Sequence, residues 1–261
     1  HRQAEIMMQR TARFLFCCSL LTGCLVGSAL QAADQEPEKS DQTTIVTFGD
    51  STTATRGPLV VYSMILEKEL PAAGVPVKVV NSGIGGHTTH QAVGRFKKDV
   101  LQHDPDLVVI QYGINDSAVD VWRDPPATQS RVSVEQYDAN LRKMIKQLKE
   151  KQVAVILMTP NSLRWIPRMK KLYGKPPYDP EDVQGFNVLL KSYAAAVRKI
   201  AKEEHVPLVD VYAAFENYDK QANQAADDLL LDGMHPNTEG QRMVADLLLP
   251  QIKAALAKQG Q

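Results

Sequence analysis

The run Thr43-Thr44-Ile45-Val46-Thr47-Phe48-Gly49-Asp50-Ser51 decides the fold. Residues 44–48 are short, β-branched and apolar, as strands buried on both faces are, and they end abruptly in a glycine, a carboxylate and a hydroxyl. Four further runs of this kind follow at 77–80, 107–111, 153–158 and 207–211. Between and after them lie segments of helical period at 60–70, 89–102, 134–151, 183–204 and 238–257. In 137–148, for example, Tyr137, Leu141, Met144, Ile145 and Leu148 share one stripe, while Lys143, Lys146, Gln147 and Lys149 face water. Strands alternating with amphipathic helices predict an α/β protein, a parallel five-stranded sheet with helices on both faces. Ligands of such sheets sit beyond the carboxyl ends of the strands, so the loops that follow each strand are expected to carry the chemistry.

Those loops hold an unusual concentration of polar and glycine residues. Ser51 follows the first strand, the segment 81–89 the second, Gly113-Ile114-Asn115-Asp116 the third, and Asp232-Gly233-Met234-His235 lies beyond the fifth. A serine hydroxyl needs a base to take its proton, and an imidazole base needs a carboxylate to hold its ring in one tautomer. Asp232 and His235, three residues apart, suit those two tasks. Acyl transfer also needs donors for the oxygen that becomes negative, and three are available: the N–H of Ser51, a glycine N–H within 81–86, and the Asn115 amide. Each has a plainer alternative as a turn or cap residue. The glycine loop lacks the Lys-Ser/Thr that would follow in a phosphate-binding loop, which argues against a nucleotide.

Taken in order, Gly49-Asp50-Ser51, Gly86, Gly113-Ile114-Asn115-Asp116 and Asp232-Gly233-Met234-His235 resemble the four blocks of the SGNH (GDSL) hydrolase family. The resemblance implies a flavodoxin-like three-layer α/β/α sandwich with strand order 2-1-3-4-5. It also implies Ser51 as nucleophile, His235 as general base, Asp232 as its orienting acid, and Ser51, Gly86 and Asn115 as the oxyanion hole. Gly86 is chosen over Gly83 and Gly85 because it precedes an x-Thr pair, as in the family pattern. Thr52 stands where leucine is usual, a variant similar to that of pectin and other carbohydrate acetylesterases in the family.

Substrate choice falls to the loops. The long segment after the fourth strand offers Arg164 and Trp165, and Trp122 with Arg123 would form an opposite wall, with Asp50 completing the expected substrate-facing set. Aromatic faces and guanidinium groups suit a sugar, and no continuous apolar lid suits a lipid. The expected reaction is removal of small acyl groups, acetyl foremost, from carbohydrate. Lysophospholipase or thioesterase activity is the enzyme alternative, and a catalytically idle carbohydrate-binding protein is the alternative of another class. No cofactor is expected. No metal is expected either, since His87 and His90 lack a third ligand at a suitable spacing.

Outward from this domain, residues 34–42 are polar and read as a linker, and 1–33 read as an export signal. There Arg10 and Arg13 precede an apolar run that ends at Ala32 and Ala33. Leu21-Thr22-Gly23-Cys24 offers a second reading, a lipobox with a lipid anchor at Cys24. The domain proper is therefore 43–261, exported, periplasmic or secreted, with no membrane span in the mature chain. All three cysteines lie in the leader, so disulfides and thiolate metal sites are excluded from the domain. The 30 basic and 30 acidic residues cancel to a net charge of +0. No long-range field favours nucleic acid, and Lys170, Lys171 and Lys175 read as a solvated loop.

Overall fold

A computed structural model describes residues 42–259. The expected leader 1–33, Cys24 and the linker as far as residue 41 lie outside the described residues. In chain order the elements are β1 (Thr43–Gly49), α1 (Tyr62–Ala72), β2 (Val77–Gly83), α2 (Thr89–Asp99), β3 (Leu107–Gln111), α3 (Ile114–Ser117), α4 (Val134–Glu150), β4 (Ala154–Met158), α5 (Pro167–Tyr173), α6 (Leu190–Glu203), β5 (Leu208–Val209), α7 (Val211–Tyr218) and α8 (Thr238–Gln259). All strand pairs are parallel and the order is β2-β1-β3-β4-β5.

The two-residue period of each strand sorts its side chains into two cores. Val108 and Ile110 of β3 join Val46, Phe48, Val155 and Leu157 beneath Phe96, Leu141, Ile145 and Val197 from α2, α4 and α6. Leu107 and Val109 point the other way, joining Ile45, Ile156 and Met158 against Leu66, Phe215 and Leu248 from α1, α7 and α8. This is the three-layer sandwich that continuous apolar strands demand, and each fully buried Leu, Ile or Phe contributes roughly 1.5–3 kcal/mol relative to exposure. The stripe expected on α4 is buried as read, and Ser133 caps that helix by accepting from the Gln136 N–H at 3.2 Å.

Some expected boundaries shift. β5 is only two residues long, and the helix expected from 183 begins at Leu190. The reason lies in Asn187, whose amide accepts from the Leu163 N–H at 2.8 Å and donates to the Leu163 carbonyl at 2.9 Å. Residues 183–189 are thereby tied into the long loop after β4 and are unavailable to a helix. The short helices α3, α5 and α7 were not foreseen, being too brief to show a period. Among the described residues no helix is long and apolar enough to cross a membrane.

Candidate active site

The polar loops converge at the carboxyl ends of the strands. After β1 the chain closes a tight turn in which the N–H groups of Thr53 and Ala54 donate to the Asp50 carbonyl at 3.2 and 3.0 Å. Gly49 has no alternative here, since a Cβ would sit 2.1 Å from Thr53 Oγ1 and 2.8 Å from the Gln111 carbonyl. Behind the turn, Gln241 of α8 reaches in fully buried. Its Oε1 accepts from the Tyr62 N–H at 2.8 Å and its Nε2 donates to the Thr52 carbonyl at 3.2 Å. The last helix therefore braces the turn that presents Ser51.

Ser51 Oγ lies 2.9 Å from His235 Nε2, and the other ring nitrogen of His235 lies 2.9 Å from Asp232 Oδ2. A Ser–His–Asp line is thus assembled from residues 184 positions apart. The local chain makes the second half of it compact. Gly233 takes a left-handed φ of 75°, which turns the backbone so that the Met234 and His235 N–H groups donate to Asp232 Oδ1 at 3.2 and 2.9 Å. A side chain at 233 would also meet the Arg164 carbonyl at 2.4 Å. Burial pulls the Asp232 pKa up, but the bonds from the His235 ring and from these two backbone donors outweigh it and leave it at about 2. The carboxylate is therefore ionised at neutral and mildly acidic pH.

The expected oxyanion donors lie on the serine turn itself, on the glycine loop after β2 and at the start of α3. A Cβ on Gly85 would come within 3.7 Å of the Ser51 Cβ, so the glycine loop abuts the serine. The exposed Gly86 beside it has a φ of 78° and lines a cleft of about 620 Å³ together with Thr88, His90, Arg123 and Arg131. Asn115, buried at the start of α3, donates from Nδ2 to Asp50 Oδ2 at 3.3 Å, so its amide is anchored to the residue preceding Ser51. A second, smaller cavity of about 90 Å³ lies against Asn115 and Met234 and is otherwise lined mainly by apolar side chains including Ile114, Leu163 and Phe186.

Two arginines that single-sequence reasoning missed hold these loops. Arg95 of α2 donates to the carbonyls of Ser82 and Gly49 at 2.8 and 2.9 Å, tying the ends of β1 and β2 together. Arg131 donates to Asn115 Oδ1 at 3.2 Å. Nothing near either in the chain marks it, since one looks like a solvated helix residue and the other sits in an irregular loop.

The expected substrate-facing residues fare differently. Arg164 is 2% exposed and its guanidinium is 2.9 Å from Glu216 Oε1 and 3.5 Å from Asp219 Oδ2. That placement corrects the expectation, because a charge so deeply buried is committed to its partners and fastens the loop after β4 to α7. Asp50 is likewise turned inward, with Oδ1 accepting from the Thr52 N–H at 2.9 Å, and burial raises its pKa against that bond. It links the serine turn to Asn115 and offers no face to a ligand. Trp165 stacks on Phe186 at 4.4 Å and donates from Nε1 to the Asp182 carbonyl at 3.0 Å, so it anchors the loop. Trp122 is the most open of the four, 48% exposed, with the Arg123 guanidinium 5.5 Å from its ring centre.

One further carboxylate shapes the site from behind. Asp116 Oδ1 accepts from the Thr89 N–H and hydroxyl at 2.8 and 2.5 Å, while its buried Oδ2 has no hydrogen-bond partner among the described residues. Burial raises its pKa to about 6 despite the Thr89 bonds. The folded chain thus holds this proton to higher pH than the unfolded chain, so the contribution of Asp116 to stability is best below about pH 4 and declines as pH rises through about 6. Asp116→Asn cannot ionise, and its melting temperature relative to the parent is expected to improve by about 5 °C between pH 4 and pH 7. Thermal melts across that range would test this, and a pH-independent difference would show that Asp116 titrates normally.

The chain can be set beside known proteins. The sequence pattern of the GDSL-like lipase/acylhydrolase family matches residues 47–243. An acetylxylan esterase of Geobacillus stearothermophilus is 30% identical over 191 residues, covering 72% of this chain and 77% of the relative. An arylesterase of Vibrio mimicus is 27% identical over 231 residues, covering 85% and 92% of the two chains. The crystal structure of the acetylxylan esterase Axe2 from Geobacillus stearothermophilus superposes with a TM-score of 0.64 at 26% identity, over 80% of this chain and 94% of that one. Mutants of Axe2 described as catalytic replace a serine, an aspartate and a histidine.

Proposed function

From the premise that this chain belongs to the GDSL-like lipase/acylhydrolase family and is a carboxylic ester hydrolase, we propose that it works through an acyl-enzyme on Ser51 and removes small acyl groups from carbohydrate. The observation that carries the reading is the 2.9 Å contact of Ser51 Oγ with His235 Nε2, backed by Asp232 on the far side of the ring. In the proposed reaction His235 takes the hydroxyl proton as Ser51 attacks the ester carbonyl, then returns it to the leaving alcohol. Asp232 holds the ring with Nδ1–H toward itself and stabilises the imidazolium. The N–H groups of Ser51 and Gly86 and the Asn115 amide receive the negative oxygen. Water activated by the same imidazole then releases the acid and frees the serine.

Two features support the substrate half of the proposal. The cavity of about 90 Å³ beside Asn115 and Met234 has room for about three water-sized groups, which suits an acetyl or propionyl chain. The cleft of about 620 Å³ that starts at Gly86 is walled by Thr88, Gln91, Gln136, His90 and two arginines, polar groups suited to sugar hydroxyls. We further propose that the enzyme is exported, with residues 1–33 as leader or with lipid attached at Cys24.

Chain-length dependence tests the acyl assignment. With p-nitrophenyl esters, kcat/KM is expected to fall at least about tenfold from acetyl to octanoyl, because a cavity of about 90 Å³ has no room for an eight-carbon chain and its walls would have to be displaced to admit one. Values that climb with chain length would instead favour the lysophospholipase or thioesterase alternative.

A further inference from the structure

We infer that Arg131 is a positioning residue for the oxyanion donor Asn115, delivered to it by the loop that joins α3 to α4; this rests on the esterase reading above. A primary amide beside a serine can flip, presenting either its oxygen or its nitrogen to a substrate. Only the nitrogen can serve an oxyanion. An arginine has donors and no acceptor, so a guanidinium placed on one end of the amide determines which end that is. Arg131 Nη1 donates to Asn115 Oδ1 at 3.2 Å, and at the other end Nδ2 donates one hydrogen to Asp50 Oδ2 at 3.3 Å. With both ends held, the plane of the amide is fixed and its second N–H is left for the developing negative oxygen.

The arginine is itself held firmly. Its Nε and Nη2 donate to Asp120 Oδ1 at 3.1 and 2.6 Å, and Asp120 is 2% exposed. A second cation, Arg123, meets the other oxygen of Asp120 at 2.7 Å. The backbone of the loop folds back on the site: the Arg131 N–H donates to the Ala118 carbonyl at 3.0 Å and the Val132 N–H to the Asp116 carbonyl at 3.1 Å. Asp120 is shared by two cations and offsets one of their charges, so Arg131 acts on the site by direction, with a residual positive charge beside it. The bond also polarises the amide toward stronger N–H donation, an increment of the kind found in chained hydrogen bonds.

A double-mutant cycle separates this role from simple bracing of the loop. Turnover of p-nitrophenyl acetate would be measured for the parent, Arg131→Met, Asn115→Ala and the double variant, with Ser51→Ala as the blank. Asn115→Ala is expected to lower kcat by about 10²- to 10³-fold. Arg131→Met is expected to lower kcat about 10- to 100-fold with KM within about threefold, and to cost less than about threefold once Asn115 is already alanine. The same fold-loss in both backgrounds, or a loss confined to KM, would overturn the inference. If thermal melting shows that Arg131→Met does not fold, Arg131→Gln, whose amide can both donate and accept and so no longer dictates which end of Asn115 faces it, takes its place in the cycle and is read by the same two criteria. Absence of Ser51-dependent turnover in the parent overturns the esterase reading together with this inference, whereas additivity overturns the inference alone.

Discussion

Ser51→Ala is expected to lower kcat on p-nitrophenyl acetate by about 10⁴-fold or more, with thermal stability close to that of the parent. The expectation rests on what the hydroxyl touches. Ser51 is half-buried and its Oγ meets His235 Nε2 at 2.9 Å, so removing one oxygen opens no core cavity yet eliminates the group that would carry the acyl chain. What survives should be the background available to bound ester and water through the oxyanion donors alone. Single-turnover mass measurement adds a second readout, since an acyl adduct is expected on the parent and none on the variant. Equal turnover by parent and variant would point to the alternative of another class, a carbohydrate-binding protein that uses this fold without its chemistry.

Asp232→Asn is expected to cost about 10³- to 10⁴-fold in kcat near neutral pH, almost as much as loss of the nucleophile. An asparagine fills the same space, but it can present its N–H₂ to the ring and so stabilise the tautomer whose proton sits on Nε2, facing the serine. A base with its proton on the wrong nitrogen cannot accept one from Ser51. The parent carboxylate, at about 2, stays ionised throughout the working range, so the acid limb of its pH profile must belong to another group. For stability the sign is that of a depressed acid: the contribution of Asp232 is complete above about pH 4 and is lost as pH falls toward about 2. A variant that kept kcat within tenfold of the parent would remove Asp232 from the mechanism.

Much of this architecture is legible in the chain because the features concerned are local. Residues 107–111 cannot alternate between core and solvent when all five are apolar or nearly so, hence a strand buried on both faces. Asp232 and His235 lie on one turn, so their pairing follows from spacing. Ser51 meets them only because β1 and the segment after β5 end on the same side of the sheet, and that fact reaches the reader through the order of the strands. What stayed hidden depends on contacts between distant segments. Arg164 looked like a sugar-binding side chain because its residue type fits that role; only the positions of Glu216 and Asp219 show that its charge is spent internally. Arg131 and Arg95 gave no signal because their partners lie 16 and 46 residues away and include a backbone carbonyl, which no sequence pattern encodes. The start of α6 was misjudged for the same reason, since Asn187 is claimed by Leu163 before a helix can use it.

The bracing of the serine turn by Gln241 sets a rule of timing for biosynthesis. Ser51 is made well before its partner at 235, 184 positions later, and before the helix that steadies its turn. A growing polypeptide, or one cut short anywhere before that helix, carries a serine no more reactive than any other. Ester-cleaving power should therefore await the docking of that helix on the serine turn.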